Sequence, residues 1–146
     1  MMEKRGLNIY FIHSAKSDFN NLLYLPVLRS KILSNHTLVF PETEANKDTY
    51  YKDLMDKADV FVVELTSADA GFNMQLKHAI MSKKPILALA QKGIGYDAKY
   101  QNLLKNIIGY SSGDELRYFV ETFANNNKDK IGGGKVDPTL VLGVLN

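Results

Sequence analysis

"ADVFVVEL", residues 58–65, is a nearly continuous apolar run, and it decides the fold. Valine and phenylalanine dominate the run, and Glu64 is the only polar residue between Val60 and Leu65. A short run without polar alternation is typical of a strand that is buried on both faces. Such strands belong to parallel sheets that carry helices on both sides. Within this segment, residues 59–65 therefore predict a strand of a parallel α/β sheet.

Similar apolar runs recur along the chain. They cover residues 7–12, 37–40, 85–90 and 106–111. Apolar residues at helical spacing lie between or after them, within residues 22–32, 51–58, 72–80 and 116–123. This alternation predicts a five-stranded parallel sheet with helices on both faces, which is a flavodoxin-like, doubly wound α/β fold. Pro26 should interrupt the first helical segment, because proline lacks a backbone N–H and disfavours helix at the preceding residue.

The length and composition are those of one globular domain. The chain has 146 residues, of which 45% are hydrophobic and 23% are charged, so it can close a core without disulfides or metal. We expect the α/β domain to cover residues 1–125. Residues 126–146 begin with a polar, glycine-rich sequence and end in an apolar stretch. The first part is typical of a linker, and we expect the apolar tail to dock on the domain or on a neighbouring subunit.

Charge and residue types exclude several classes of function. A formal net charge of +2 gives no reason to expect a nucleic-acid or membrane partner. The chain has no cysteine, and its three histidines are far apart, so neither a metal ion nor a thiol nucleophile is expected. No cofactor is expected either. No window reaches the roughly 18 apolar residues of a membrane span, which predicts a cytoplasmic protein.

The functional site should lie beyond the carboxyl ends of the strands. In open parallel sheets, ligands bind there, where helix N-termini point their N–H groups at the ligand. Three loops rich in polar residues should converge at this edge, within residues 13–18, 41–51 and 66–75. The candidate ligand-binding residues in or beside them are His13, Ser14, Glu64, Asp69 and Gly71. Each could instead satisfy the loop backbone or cap a helix.

The segment "DAGFNMQLKHA", residues 69–79, follows the apolar run and resembles a known family. It is similar to the nucleoside 2-deoxyribosyltransferases and the related 2'-deoxynucleoside 5'-phosphate N-hydrolases. The resemblance covers roughly residues 7–111. Tyr10 falls at the family's first-strand tyrosine, and Asn106 falls at an asparagine that reaches the site of an adjoining subunit. The resemblance therefore implies a small, nucleoside-like ligand and a homo-oligomer.

The same resemblance implies that both catalytic acids are missing. The family nucleophile is a glutamate at the position of Gln75, and a second acid stands at the position of Tyr51. A carboxylate can stabilise or trap the positive charge that develops on the sugar, whereas an amide cannot. Asp69 is retained and resembles an aspartate of the transferase branch, where it would repel a 5'-phosphate. We therefore expect a nucleoside or nucleobase to bind, with weak or absent cleavage of the N-glycosidic bond.

Two other functions are also consistent with the sequence. The chain could be an active N-glycosidase or deoxyribosyltransferase that uses Asp69 or an acid from a partner subunit. It could also be an interaction module, because "IYFIHSAKSD", residues 9–18, is similar to the opening of TIR domains, which share the doubly wound fold. Tyr51 is equally consistent with a core anchor, since it shares a helical face with Leu54 and Met55.

Overall fold

The fold is organised around five parallel strands. The computed structural model describes residues 6–43, 46 and 50–131. The strands are β1 (Asn8–Ile12), β2 (Thr37–Val39), β3 (Val60–Glu64), β4 (Ile86–Gln91) and β5 (Ile107–Tyr110). They form one sheet in the order β2-β1-β3-β4-β5, with every pair parallel. The predicted flavodoxin-like, doubly wound fold is therefore confirmed, and the apolar run at residues 58–65 supplies its central strand.

The helices lie in two layers on the sheet. They are α1 (Leu25–Leu28), α2 (Tyr51–Asp56), α3 (Ala70–Ser82), α4 (Lys99–Leu103) and α5 (Gly113–Asn127). A π-helical turn (Asn20–Tyr24) and two 3-10 turns (Leu33–Asn35 and Lys128–Lys130) complete the described elements. One apolar cluster packs α1 and α5 against one face of the sheet, and a second packs α2, α3 and α4 against the other. Among the described residues, no helix is both long and apolar enough to cross a bilayer.

Strand alternation assigns each buried side chain to one of these layers. On β1, Ile9 and Phe11 face the layer of α1 and α5, whereas Tyr10 and Ile12 face the layer of α2, α3 and α4. The same alternation on β3 gives Val60 and Val62 to the first layer and Phe61 and Val63 to the second. Residues that follow these strands at the carboxyl edge continue the pattern. This alternation later separates the candidate site residues into two groups.

Two local features follow from proline and from the end of α5. Pro26 occupies the first turn of α1, which follows the π-helical turn without a gap, and Leu25 has helical angles (φ −61°, ψ −44°), so the helix type changes near Pro26 but the predicted break does not occur. The last helix continues to Asn127, two residues beyond the predicted domain boundary at 125, and Lys130 is buried after it. The linker therefore cannot begin at residue 126. The expected apolar tail, within 132–146, lies outside the described residues.

Two hydrogen bonds, which resemble a capping box, fix the start of α5. Ser112 Oγ accepts a hydrogen bond from Glu115 N at 3.1 Å, and Glu115 Oε1 accepts one from Ser111 N at 2.8 Å. We expect Ser112→Ala to lower the free energy of unfolding by about 1 kcal/mol, because the helix loses its N-cap. Urea denaturation measures this loss, and Ser111→Ala, which removes an exposed hydroxyl next to the cap, serves as the control. Equal losses in both variants would contradict the prediction.

Candidate functional site

The strand order places a crevice at the carboxyl ends of β1 and β3. The chain passes from β1 to β2 in one direction and from β2 across to β3 in the other, so the order reverses beside β1. Crevices at such reversals are where doubly wound proteins bind ligands. The loop at 13–18 and the segment 66–75, which includes the start of α3, border this crevice, which we call the switch-point cleft. The predicted position of the site at this edge agrees with the topology.

Tyr10 and Gln75 are joined by a hydrogen bond at this cleft. The Tyr10 hydroxyl donates to Gln75 Oε1 at 2.8 Å. Tyr10 is fully buried and its ring meets Phe61 edge-on, with the centroids 6.0 Å apart. Burial raises the pKa of the Tyr10 hydroxyl, so it stays protonated and remains a donor. Gln75 is half-buried, and no described residue accepts a hydrogen bond from its Nε2, which can therefore serve a ligand.

Asp69 connects the loop after β1 to the start of α3. Its Oδ1 accepts from Phe72 N at 2.8 Å, which caps the helix. Its Oδ2 accepts from Ser14 Oγ at 2.7 Å and from Ala15 N at 3.2 Å. The bond from Phe72 N, followed by that from Ser14, lowers the pKa of the Asp69 carboxyl. The carboxylate is therefore anionic but already engaged by three donors, which makes it a weak base and a poor nucleophile.

His13 lies beneath the loop after β1 and not on the cleft surface. Its Nε2 lies 2.5 Å from the Tyr24 hydroxyl and its Nδ1 lies 3.1 Å from the Ser14 carbonyl oxygen, so both ring nitrogens are occupied. Its ring stacks on Phe19, with the centroids 4.5 Å apart. Burial lowers the pKa of His13, which favours a neutral ring that donates to Ser14 and accepts from Tyr24. His13 positions the loop that carries Ser14.

Glu64 faces the layer of α1 and α5, away from the Tyr10–Gln75 pair. Its carboxylate is buried and accepts from the Tyr110 hydroxyl, and from Thr66 N and Oγ1 at 2.5 Å each. Thr66 Oγ1 in turn accepts from Gln91 N at 3.1 Å. Burial and the bond to Glu64 raise the pKa of Tyr110. The predicted pocket residue Glu64 thus joins the ends of β3, β4 and β5.

Tyr51 lies at the first position of α2, on the side of the sheet that holds Tyr10. Its ring is half-buried, packs against the apolar layer of α2, α3 and α4, and lies 5.1 Å from the ring of Tyr50. Tyr51 also contributes to the raised pKa of Tyr10, which is consistent with a place near the cleft. Tyr51 therefore combines a core contact with a place near the cleft.

Gly71 and Asn106 differ in their relation to the cleft. Gly71 lies in the first turn of α3, exposed, and an added Cβ would meet only Asp69 Oδ1 at an ordinary 3.6 Å. Asn106 directly precedes β5, so it lies at the opposite, amino edge of the sheet, in an open groove that Tyr96 and Gln101 also line. Asn106 is therefore not part of this chain's own cleft. Its expected contact with an adjoining subunit stays a prediction.

Sequence reasoning missed one acid at the cleft, Glu42. It is exposed, and its charge contributes to the raised pKa values of Tyr10 and Tyr24 and opposes the lowering of the pKa of His13. The available signal was its place in loop 41–51, which was expected to reach this edge. Clusters of three or more His, Cys, Asp or Glu side chains able to hold a metal ion do not occur among the described residues.

Comparisons with known proteins bear on the fold and not on the function. No family model and no curated protein matches this chain. Its structure is similar to a crystal structure of a conserved protein from Enterococcus faecalis V583, with a TM-score of 0.58 and 18% sequence identity. The match covers 80% of this chain and 98% of that chain. This similarity defines the class as a doubly wound α/β protein.

Proposed function

We propose that the switch-point cleft binds a nucleoside or a nucleobase-like molecule and that N-glycosidic cleavage by this chain is weak or absent. In this proposal the chain is a nucleoside 2-deoxyribosyltransferase-like protein without the two family acids. The hydrogen bond between Tyr10 and Gln75 carries the proposal. This bond holds two polar side chains in a fixed arrangement, in the crevice where such folds bind small molecules.

The chemistry of an amide supports binding over catalysis. The Gln75 side chain offers donors and an acceptor, as do the edges of nucleobases and the hydroxyl groups of sugars. Glutamine has nearly the same shape as glutamate, so it can fill the position of the family nucleophile. It has no charge and is a poor nucleophile, so it cannot form a glycosyl ester or stabilise the developing cation.

The hydrogen bonds of Asp69 argue against an active N-glycosidase or deoxyribosyltransferase that uses this carboxylate. A carboxylate that caps a helix and also accepts from Ser14 and Ala15 would have to give up those bonds to attack a sugar. An acid from a partner subunit and the TIR-like interaction module remain as outcomes of the test below.

The proposal is tested with a panel of nucleosides and 2'-deoxynucleosides. Calorimetry measures binding, and chromatography measures the free base released during incubation. We expect binding of at least one panel member with base release near the uncatalysed background. Brisk base release would instead support an active enzyme. Absence of binding across the panel would refute the proposal and favour an interaction module.

We expect Tyr10→Phe to lower the affinity for a bound panel member by about fivefold. Phenylalanine keeps the packing on Phe61, but Gln75 loses the hydroxyl that orients it, and one hydrogen bond is worth about 1 kcal/mol. Calorimetry measures the change. Tyr118→Phe is the matched control, because it removes the same hydroxyl at a site on α5 where Tyr118 is 62% exposed. An unchanged affinity in Tyr10→Phe would contradict the role of the pair.

A further inference from the structure

Glu42 lies where the loop after β2 meets the switch-point cleft. β1 and β2 are parallel, and Tyr10 is paired with Val39. β2 ends at Val39, so Glu42 lies three residues beyond it, and His13 directly follows β1. Both chains leave the sheet at the same edge, because parallel strands share their carboxyl ends. Glu42 is therefore on the β2 side of the crevice that Tyr10 and Gln75 border.

Contacts of Phe40, Thr43 and Asn46 hold the chain in place on both sides of Glu42. The Phe40 ring packs on Tyr24, with the centroids 4.1 Å apart. The Phe40 carbonyl oxygen accepts hydrogen bonds from Thr43 Oγ1 and Asn46 Nδ2, both at 2.9 Å. Thr43 N lies 3.3 Å from the same oxygen. The turn is thus held at both ends, which restricts where the Glu42 carboxylate can lie.

The charge of Glu42 is free to act on a ligand. The side chain is exposed, and no described cation pairs with it. Its charge contributes to the raised pKa of Tyr10 and opposes the lowering of the pKa of His13, and these two residues face opposite layers of the sheet. The position of Glu42 after β2, at the edge that β2 shares with β1, is consistent with an effect on both residues.

We propose that Glu42 is the ligand-contacting acid of the switch-point cleft and accepts a hydrogen bond from an N–H or O–H group of the molecule that Gln75 holds. This inference rests on the proposed function and names a specificity-determining residue for it. Gln75 Nε2 supplies a donor and Glu42 supplies an anionic acceptor. The cleft therefore selects a ligand that presents an acceptor to Gln75 and a donor to Glu42.

The two acids of the cleft, Asp69 and Glu42, also determine which ligands it excludes. Asp69 is held as an anion by its three donors, and Glu42 adds a second negative charge on the β2 side. A phosphate group placed between them would be repelled by both. A neutral molecule with an exocyclic amine or sugar hydroxyl fits this arrangement, so nucleosides should bind more tightly than their 5'-monophosphates.

The test compares Glu42→Gln with Asp114→Asn in the full chain. Asp114 lies on α5 with its side chain 86% exposed, so its variant removes one negative charge elsewhere. We expect Glu42→Gln to lower the affinity for a bound 2'-deoxynucleoside by about 10- to 100-fold, the effect of one charge-assisted hydrogen bond. The affinity for the matching 5'-monophosphate should fall less or rise. Asp114→Asn should change neither affinity.

A titration of His13 by NMR locates Glu42 without any ligand. The carboxylates of Glu42 and Asp69 both raise the pKa of His13, against burial, which lowers it. Glu42→Gln should therefore lower the pKa of His13 further, and Asp114→Asn should leave it unchanged. An unchanged His13 pKa in Glu42→Gln overturns the inference. A shifted pKa with unchanged nucleoside affinity also overturns it but leaves the proposed function standing. A shifted pKa in a protein that binds no panel member refutes the proposed function itself.

Discussion

Gln75→Glu is expected to release free base from 2'-deoxynucleosides about a thousandfold faster than the unaltered chain, or more. Restoring a carboxylate supplies a nucleophile that can trap the sugar and an anion that stabilises its positive charge. Removal of a single nucleophile or electrostatic donor changes rates in other enzymes by factors of this order. The gain should be as large because the amide at this position supplies neither function.

The surroundings of Gln75 can accommodate the carboxylate. Glutamate is nearly isosteric with glutamine, and the Tyr10 hydroxyl, 2.8 Å from Gln75 Oε1, would donate to it. The raised pKa of Tyr10 keeps that hydroxyl protonated. A hydrogen bond to an anion is stronger than one to an amide, so the pair should persist in the variant. Glu42 provides a second acid on the other side of the cleft.

Chromatography of the released base measures this gain, and mass spectrometry can detect a sugar ester on the protein. Gln101→Glu, at an exposed position on α4, is the matched control and should stay at background. A second variant, Gln75→Glu with Tyr51→Asp, places an acid at both positions where the proposed family has one. If neither variant exceeds the Gln101→Glu background, Gln75 does not stand at the position of a nucleophile.

The sheet could be predicted because its strands are defined by local composition. The observed β3, Val60–Glu64, lies inside the predicted strand at 59–65, since a strand buried on both faces needs apolar residues throughout. The short helix α4 could not be predicted in the same way. It has five residues, and only Tyr100 is buried, so it shows no repeating apolar spacing. Its position depends on contacts with the rest of the fold, such as the bond from the Tyr100 hydroxyl to Asn73 Oδ1.

The candidate site was only partly accessible from the sequence. The role of Asp69 as the N-cap of α3 was accessible, because an aspartate before a helical segment is a local capping signal, and Gln75 lies in the second turn of that helix. The face of the sheet to which Glu64 points follows from strand alternation. Its partner Tyr110 is 46 residues away in the sequence, so only the folded sheet brings the two together. Glu42 belongs to no motif. It follows β2, and only the pairing of β2 with β1, which sequence patterns do not encode, puts it at the same edge of the sheet as the end of β1.

Asp69→Ala is expected to lower the free energy of unfolding by about 2–4 kcal/mol. Loss of the N-cap of α3 accounts for about 1–2 kcal/mol. The fully buried Ser14 hydroxyl also loses its acceptor, and an unpaired buried donor costs about 1–3 kcal/mol. Urea denaturation measures the total. In a double-mutant cycle with Ser14→Ala, the two losses should be clearly less than additive; strict additivity would show that the Ser14–Asp69 bond contributes nothing.

The acid dependence of stability provides a separate test of Asp69 as an anion. The pKa of its carboxyl is below the ordinary value of 3.8, first because of the bond from Phe72 N and then because of Ser14. The stability that its charge supplies is therefore complete above the unfolded pKa and is lost as the pH falls through the lower, folded pKa. Asp69→Asn keeps a capping side chain but cannot titrate, so its stability deficit should be constant between about pH 7 and pH 5 and shrink below about pH 4. Urea denaturation across this pH series measures the deficit. A deficit that stays constant down to about pH 2 would mean that the three donors around Asp69 do not favour its ionised form.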